Sequence, residues 1–397
     1  MHSKSNRLYF IDAMRAWAIL MMLQGHFVDG LLDYAFRDTS NVGYNLWLYF
    51  RGVTAPVFFT VSGFIFTFLL IKGDKIGLDN PRVIKGVKRG LQLIFIGYLL
   101  RLNFWGLLGG YVYDSFFFVD VLHCIGFSIL GIVGLYVLTS KRKVLLPLVL
   151  ISITILLFVF EPTYKAWSFN YLPIWLANFF TKANGSVFTL FPWFGYATCG
   201  AFLSILFAKF KEAKYVYPVA ISVAILLGLG LVFGSSELIL LIARTTSISL
   251  FADVFFNNYL FLRLGDVFLV FAVFMLLRNF LTYPTLLKIG QSTLSIYVVH
   301  YTILYGSFIG VGFYYFLNHS LSPTAVIIGA LFFMVISTAT ALYYETHKVA
   351  IKANIKAKRS QLFEPLEPWF AFTTRLFRSY YVKLRVVTLK LFRLIKD

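Results

Sequence analysis

Charge is what this chain has least of. Only 13% of its 397 residues are Asp, Glu, Lys or Arg, about half the share usual in soluble globular domains. Acidic residues are the rarer sign, 17 against 36 basic ones, for a formal net charge of +19. A surface so poor in charge excludes an ordinary soluble domain, and the rest of the composition agrees. Hydrophobic residues make up 59% of the chain, and mean hydropathy is +0.78. The expected fold class is all-α, a polytopic membrane helical bundle. Cysteine is nearly absent: Cys124 and Cys199 both sit in apolar runs, which excludes a disulfide framework and reads as two buried thiols. The histidines lie on separate segments without ligand spacing, so no metal is expected. The first apolar stretch lacks a small-residue cleavage site and contains Asp12 and Arg15. It is therefore expected to be a retained span rather than a cleavable signal.

Long apolar runs are abundant. About 20 residues cross a bilayer as a helix, and runs near that length fall at 8–28, 46–71, 87–108, 117–138, 144–160, 187–208, 216–234, 259–280, 286–312 and 323–345. These predict about ten transmembrane helices. A partly apolar connection, Leu238 to Phe256, is long enough for a half-span. Basic residues set the orientation. Arg15, Arg51, Arg101 and Arg263 fall in or at the edge of spans, and Arg37, Lys165, Lys182 and Arg244 in loops of one side. All the other Lys and Arg residues alternate onto the opposite side, which predicts that both termini are cytoplasmic. Residues 1–348 form the membrane domain. Residues 349–397 form a basic cytoplasmic tail. From Leu366 to Asp397 the tail interleaves aromatic and basic residues, the pattern of an interfacial helix on an anionic leaflet rather than of an arm for nucleic acid.

The few charges inside spans are then the informative residues, because each costs at least about 2.5 kcal/mol unless paired or facing a wet cavity. On the first span Arg15 and His26 are eleven positions apart, within about 20° of one line and roughly 16 Å along it. Asp12 shares the stripe. With the predicted topology, Asp12 and Arg15 lie in the inner half. Arg51, Asp120, His123, Arg263, Asp266 and His300 gather with His26 in the outer half. The pattern predicts a chamber open to the outside with an electropositive slot reaching inward. Arg263 with Asp266, and Asp120 with His123, are each spaced to be ordinary helix-stabilising pairs as well. His300 also suits a hydrogen-bonded core position.

These residues fall in segments with a resemblance. IDAMRAWAILMMLQGHF resembles the opening helix of the transmembrane acyltransferase superfamily, comprising acyltransferase type 3 and heparan-α-glucosaminide N-acetyltransferase-like membrane proteins; Arg15 and His26 match its basic-to-histidine spacing. RGVTAPVFFTVSGF, VDVLHCIGFSIL, FPWFGYATCGAFL and IGQSTLSIYVVH resemble later signatures, in order over residues 7–345. Arg15-Ala16 departs from the usual Arg-Gly. The resemblance implies transfer of an acyl group, in the first instance acetyl, from cytosolic acyl-CoA to a hydroxyl or amino group of an extracytoplasmic glycan or amino sugar. It implies His26 as general base or acyl carrier, Asp12 orienting Arg15, and Arg15 on the CoA phosphates. Arg51 and Ser62, with amides near Gly63, would stabilise the oxyanion. Asp120, His123, Arg263, Asp266 and His300 would hold the acceptor or tune His26. The expected location is a plasma membrane, in particular a bacterial inner membrane, and the resemblance leaves room for a homodimer. Buried His, Asp and Arg also mark transporters, so a transporter or flippase for a small polar or lipid-linked sugar is the alternative. Trp47, Tyr111, Tyr113, Tyr164, Trp167 and Tyr171 near the outer ends suit either a sugar or an interfacial aromatic belt.

Overall fold

The structure, a computed structural model, describes residues 8–363 apart from 74 and 143, together with Tyr380. Among the described residues the regular elements are helical, with an isolated bridge between Leu32 and Leu321. The chain divides into two units, Met1–Leu342 and Tyr343–Asp397. The second unit is helical as far as Phe363, where Lys348 donates to Glu345 Oε2 at 2.7 Å. The interfacial helix expected over Leu366 to Asp397 lies outside the described residues.

The principal helices are α1 (Tyr9–Leu31), α2 (Val42–Leu70), α3 (Pro81–Arg101), α4 (Val121–Thr139), α5 (Leu145–Val159), α6 (Leu190–Phe210), α7 (Val216–Thr246), α8 (Tyr259–Leu276), α9 (Pro284–Gln291), α10 (Thr293–Tyr305) and α11 (Pro323–Phe363). Among the described residues, six stretches are long and apolar enough to cross a bilayer: α2, Asp114–Thr139, α6, α7, α8 and Pro323–Lys358. The protein is a multi-pass membrane protein.

Three expectations need correcting. The stretch 286–312 is not one helix: α9 stops at Gln291, Ser292 leaves the helical region, and α10 runs from Thr293 to Tyr305. Gly306 then ends α10 at a φ of 76°. The run 87–108 is also cut. Asn80 caps α3 by accepting from the Arg82 amide at 2.9 Å, and the helix ends at Arg101, before a separate turn over Phe104–Leu108. The stretch after residue 234 is no loop. A π-helical turn, Gly230–Gly234, carries the helix on to Thr246, and Ser249–Phe256 is a further helix. Within α2, Pro56 has no N–H to give the Gly52 carbonyl, and its own carbonyl accepts from Thr60 Oγ1 at 2.8 Å.

The best-packed pairs are α2 with α6, α3 with α4, and α7 with α8, while α1 lies against α2, α9 and α10. In lipid no hydrophobic force draws helices together, so small residues that allow close van der Waals contact take that part. The α2–α6 crossing shows it: a Cβ on Gly200 would collide with the Thr60 carbonyl, and one on Gly63 with the Ala197 carbonyl. Gly200→Ala is expected to cost about 1–3 kcal/mol through overpacking, read as a lowered Tm in nanodiscs. Gly134→Ala on α4, where a Cβ meets nothing within 4 Å, is expected to be neutral. Equal Tm values for the two variants would refute the crossing geometry.

Candidate functional site

The polar residues of the spans form two sites along α1, one at each end of the Asp12-to-His26 stripe. At the His26 end is a cavity of about 970 Å³. Residues of α1 (His26, Asp29), α2 (Arg51, Thr54, Phe58), the α3 end (Arg101) and the α4 cap (Asp120) line it. So do Trp193 of α6 and Tyr297, Tyr301 and Tyr305 of α10.

His26 Nδ1 lies 3.1 Å from His300 Nε2. One nitrogen of His26 is thereby engaged, and Nε2 is left for the cavity. His300 is fully buried and does not line the cavity. It stands behind His26 and cannot touch an acceptor there. Arg51 donates to Asp29 Oδ2 at 2.6 Å, and Arg37 holds the backbone carbonyl of Asp29 at 2.7 Å. On the far wall Arg101 Nε donates to Asp120 Oδ2 at 3.0 Å. Asp120 is also the N-cap of α4: it accepts from the Leu122 amide, and His123 Nδ1 lies 3.1 Å from its Oδ1. His123 is fully buried and orients Asp120 rather than meeting a ligand.

The cavity wall thus carries two Arg–Asp pairs and is close to charge-balanced at this outer end. The pairs differ in burial. Arg101 and Asp120 keep 13% and 8% of their side-chain exposure, Arg51 and Asp29 39% and 43%. Half-exposed pairs contribute about 0–1 kcal/mol to stability, so the Arg51–Asp29 pair adds little to the fold.

Three expected members are elsewhere. Ser62 lies eleven residues along α2 from Arg51, about 16 Å, and does not line the cavity; the amide of Gly63 is packed against α6. Arg263 and Asp266 pair at 2.9 Å, Tyr49 OH donates to Asp266 at 2.5 Å, and Arg263 lies over the Tyr49 ring. This trio braces α8 against α2 and is not part of the cavity wall. Of the outer aromatics named from the sequence, Tyr113 lines the cavity; Trp47 instead donates to Gln24 at 2.7 Å.

The structure also adds residues. Asp29 is three positions past His26, on the same face and just beyond the apolar run that ends at Val28, and that spacing is a signal the sequence carries. Tyr297, Tyr301 and Tyr305 recur every four residues, one stripe of α10.

At the other end Arg15 Nη2 donates to Thr293 Oγ1 at 3.0 Å, with Asp12 Oδ1 3.8 Å from Nη1. Gln291 donates to Asp12 Oδ2 at 3.3 Å. Gly290 lets α9 approach: a Cβ there would strike the Asp12 carbonyl. The break between α9 and α10 therefore sits directly on the Asp12–Arg15 stripe. A second cavity, about 380 Å³, adjoins it, lined by Tyr9, Thr282, Pro284, Leu287, Lys288 and Gln291.

The profile of the heparan-alpha-glucosaminide N-acetyltransferase catalytic family matches residues 7–233. No curated protein matches the chain. Asp12, Arg15, His26, Arg51, Arg101 and Asp120 fall within the matched residues; Arg263, Asp266, Gln291, Thr293 and His300 fall outside them.

Proposed function

The chain belongs to the heparan-alpha-glucosaminide N-acetyltransferase catalytic family, and from that membership we propose that it moves an acetyl group across the membrane, from acetyl-CoA at the Asp12 end to a glycan or amino-sugar acceptor at the His26 end. The observation that carries the reading is the line along α1. It joins a cationic site, Arg15 beside the 380 Å³ cavity, to an imidazole nitrogen facing the 970 Å³ cavity.

Coenzyme A is anionic and cytosolic. A guanidinium suits its phosphates, holding two oxygens at once where geometry allows. Arg15 and the cavity bordered by Lys288 take that part. Asp12 fixes Arg15, and Gln291 fixes Asp12. The thioester then extends along the α1 stripe toward His26. His26 Nε2 takes the proton of the acceptor hydroxyl or amine as that atom attacks the thioester carbonyl. The C–S bond breaks, and the thiolate recovers the proton from His26. If His26 carries the acetyl group itself, the same nitrogen forms and then releases the acyl bond. Arg51 is the cation nearest the developing oxyanion, a charge that donors stabilise best in a site closed to water. Asp29, Asp120 and the tyrosine stripe offer hydrogen bonds and ring faces to a sugar.

We propose further that about ten crossings deliver this arrangement, with both termini cytoplasmic in a plasma membrane and the tail on the anionic leaflet. Arg15→Ala is expected to weaken acetyl-CoA binding about tenfold to a hundredfold, the value of one hydrogen bond to a charged group, measured by titration calorimetry in nanodiscs. Native affinity in that variant would remove Arg15 from the donor site.

A further inference from the structure

We infer that His300 is a positioning residue that sets the tautomer of His26. The two rings share one short contact, His26 Nδ1 to His300 Nε2 at 3.1 Å. Exactly one proton can lie in that contact when both rings are neutral. If His300 donates it, His26 carries its own proton on Nε2 and faces the cavity as a donor, useless as a base. If His26 donates it, Nε2 presents a lone pair. The surroundings of His300 decide between the two. It is fully buried on α10 between Tyr297 and Phe333, with no cavity surface from which to exchange its proton. Its other nitrogen, Nδ1, is buried and makes no full hydrogen bond, and the carbonyls of Ile296 and Tyr297, one turn back on α10, are negative groups within electrostatic reach of the ring. Carbonyls favour a proton on Nδ1, which leaves Nε2 of His300 as the acceptor. His26 then donates from Nδ1 and keeps Nε2 free. The same contact steadies the imidazolium formed when Nε2 takes the acceptor's proton, as a second residue does for a catalytic histidine in other hydrolytic and transfer sites.

The inference deepens the reading of His26 as base and rests on it. Two substitutions at one position test it in nanodiscs. His300→Phe keeps a ring and removes the acceptor. His300→Gln restores an acceptor oxygen near the place of Nε2. The Phe variant is expected to lose about a hundredfold in kcat, the upper range for removing an orienting partner, with KM for acetyl-CoA unchanged. The Gln variant is expected to stay within about tenfold of wild type. A second readout needs no turnover. Diethylpyrocarbonate adds to a neutral imidazole lone pair, and peptide mass mapping reports its rate at His26. That rate is expected to fall about tenfold in the Phe variant, as the lone pair moves to Nδ1, and to hold in the Gln variant. Wild-type kcat and labelling in the Phe variant would overturn the inference, as would equal losses in both variants. If turnover persisted in His26→Ala while the labelling pattern held, the base reading would fall and the tautomer assignment would stand.

Discussion

Replacing His26 with Ala is expected to lower acetyl transfer about a hundredfold to ten-thousandfold, the range for losing a positioned general base. Binding of acetyl-CoA should hardly change. The proposed donor site at Arg15 is eleven residues away, about 16 Å along α1, too far for a direct contact with His26. The loss should therefore fall on kcat and spare the donor KM, the pattern of an interaction made only in the transition state. Misfolding would not give that split, because a collapsed bundle would lose donor binding too. Release of free CoA, measured with a panel of amino sugars and glycans, reads the effect. Unchanged release would keep the enzyme and remove His26 from its chemistry.

Arg101→Ala is expected to carry the largest cost in stability. Arg101 is the guanidinium of the more buried pair, 3.0 Å from Asp120 and, through Nη1, 3.1 Å from the Ser115 carbonyl. Its removal leaves Asp120 almost buried, with His123 and the Leu122 amide as its remaining partners. Breaking a buried pair on one side costs about 3–5 kcal/mol, mostly because a charge is stranded. The α4 cap and the far cavity wall should loosen together. Arg101→Ala combined with Asp120→Asn removes the stranded charge and should recover part of the loss, because the amide oxygen can still cap α4. Arg51→Ala breaks the more exposed pair and should cost at most about 1 kcal/mol while still impairing transfer. Thermal unfolding of the three proteins in nanodiscs checks the order. An Arg101→Ala protein as stable as wild type would contradict the buried pairing.

The α1 stripe was legible because its evidence is local: three ionisable residues at helical spacing in an apolar run. Helix positions followed from hydropathy nearly everywhere the run was continuous. Where the chain instead breaks, at Ser292, the cause is tertiary. Gly290 is pressed on the Asp12 backbone, and nothing in the run 286–312 reports that contact. Depth alone grouped Arg263 and Asp266 with His26, since depth does not say which way a helix face turns; Tyr49 shows that they turn to α2. Ser62 was placed by motif rather than by depth, and the rise of α2 carries it away from the cavity. Asp29 falls one residue past the end of the apolar run at Val28, so hydropathy alone does not assign it to the span. His300 was named, but its role depends on a contact 274 positions away in sequence, which no spacing encodes.

The most direct test uses sealed proteoliposomes with labelled acetyl-CoA outside and an amino-sugar acceptor trapped inside. The account predicts labelled acetyl product in the lumen, matched by free CoA outside, and neither with His26→Ala. Intact acceptor crossing the membrane without CoA release, or product confined to the side of acetyl-CoA, would contradict it.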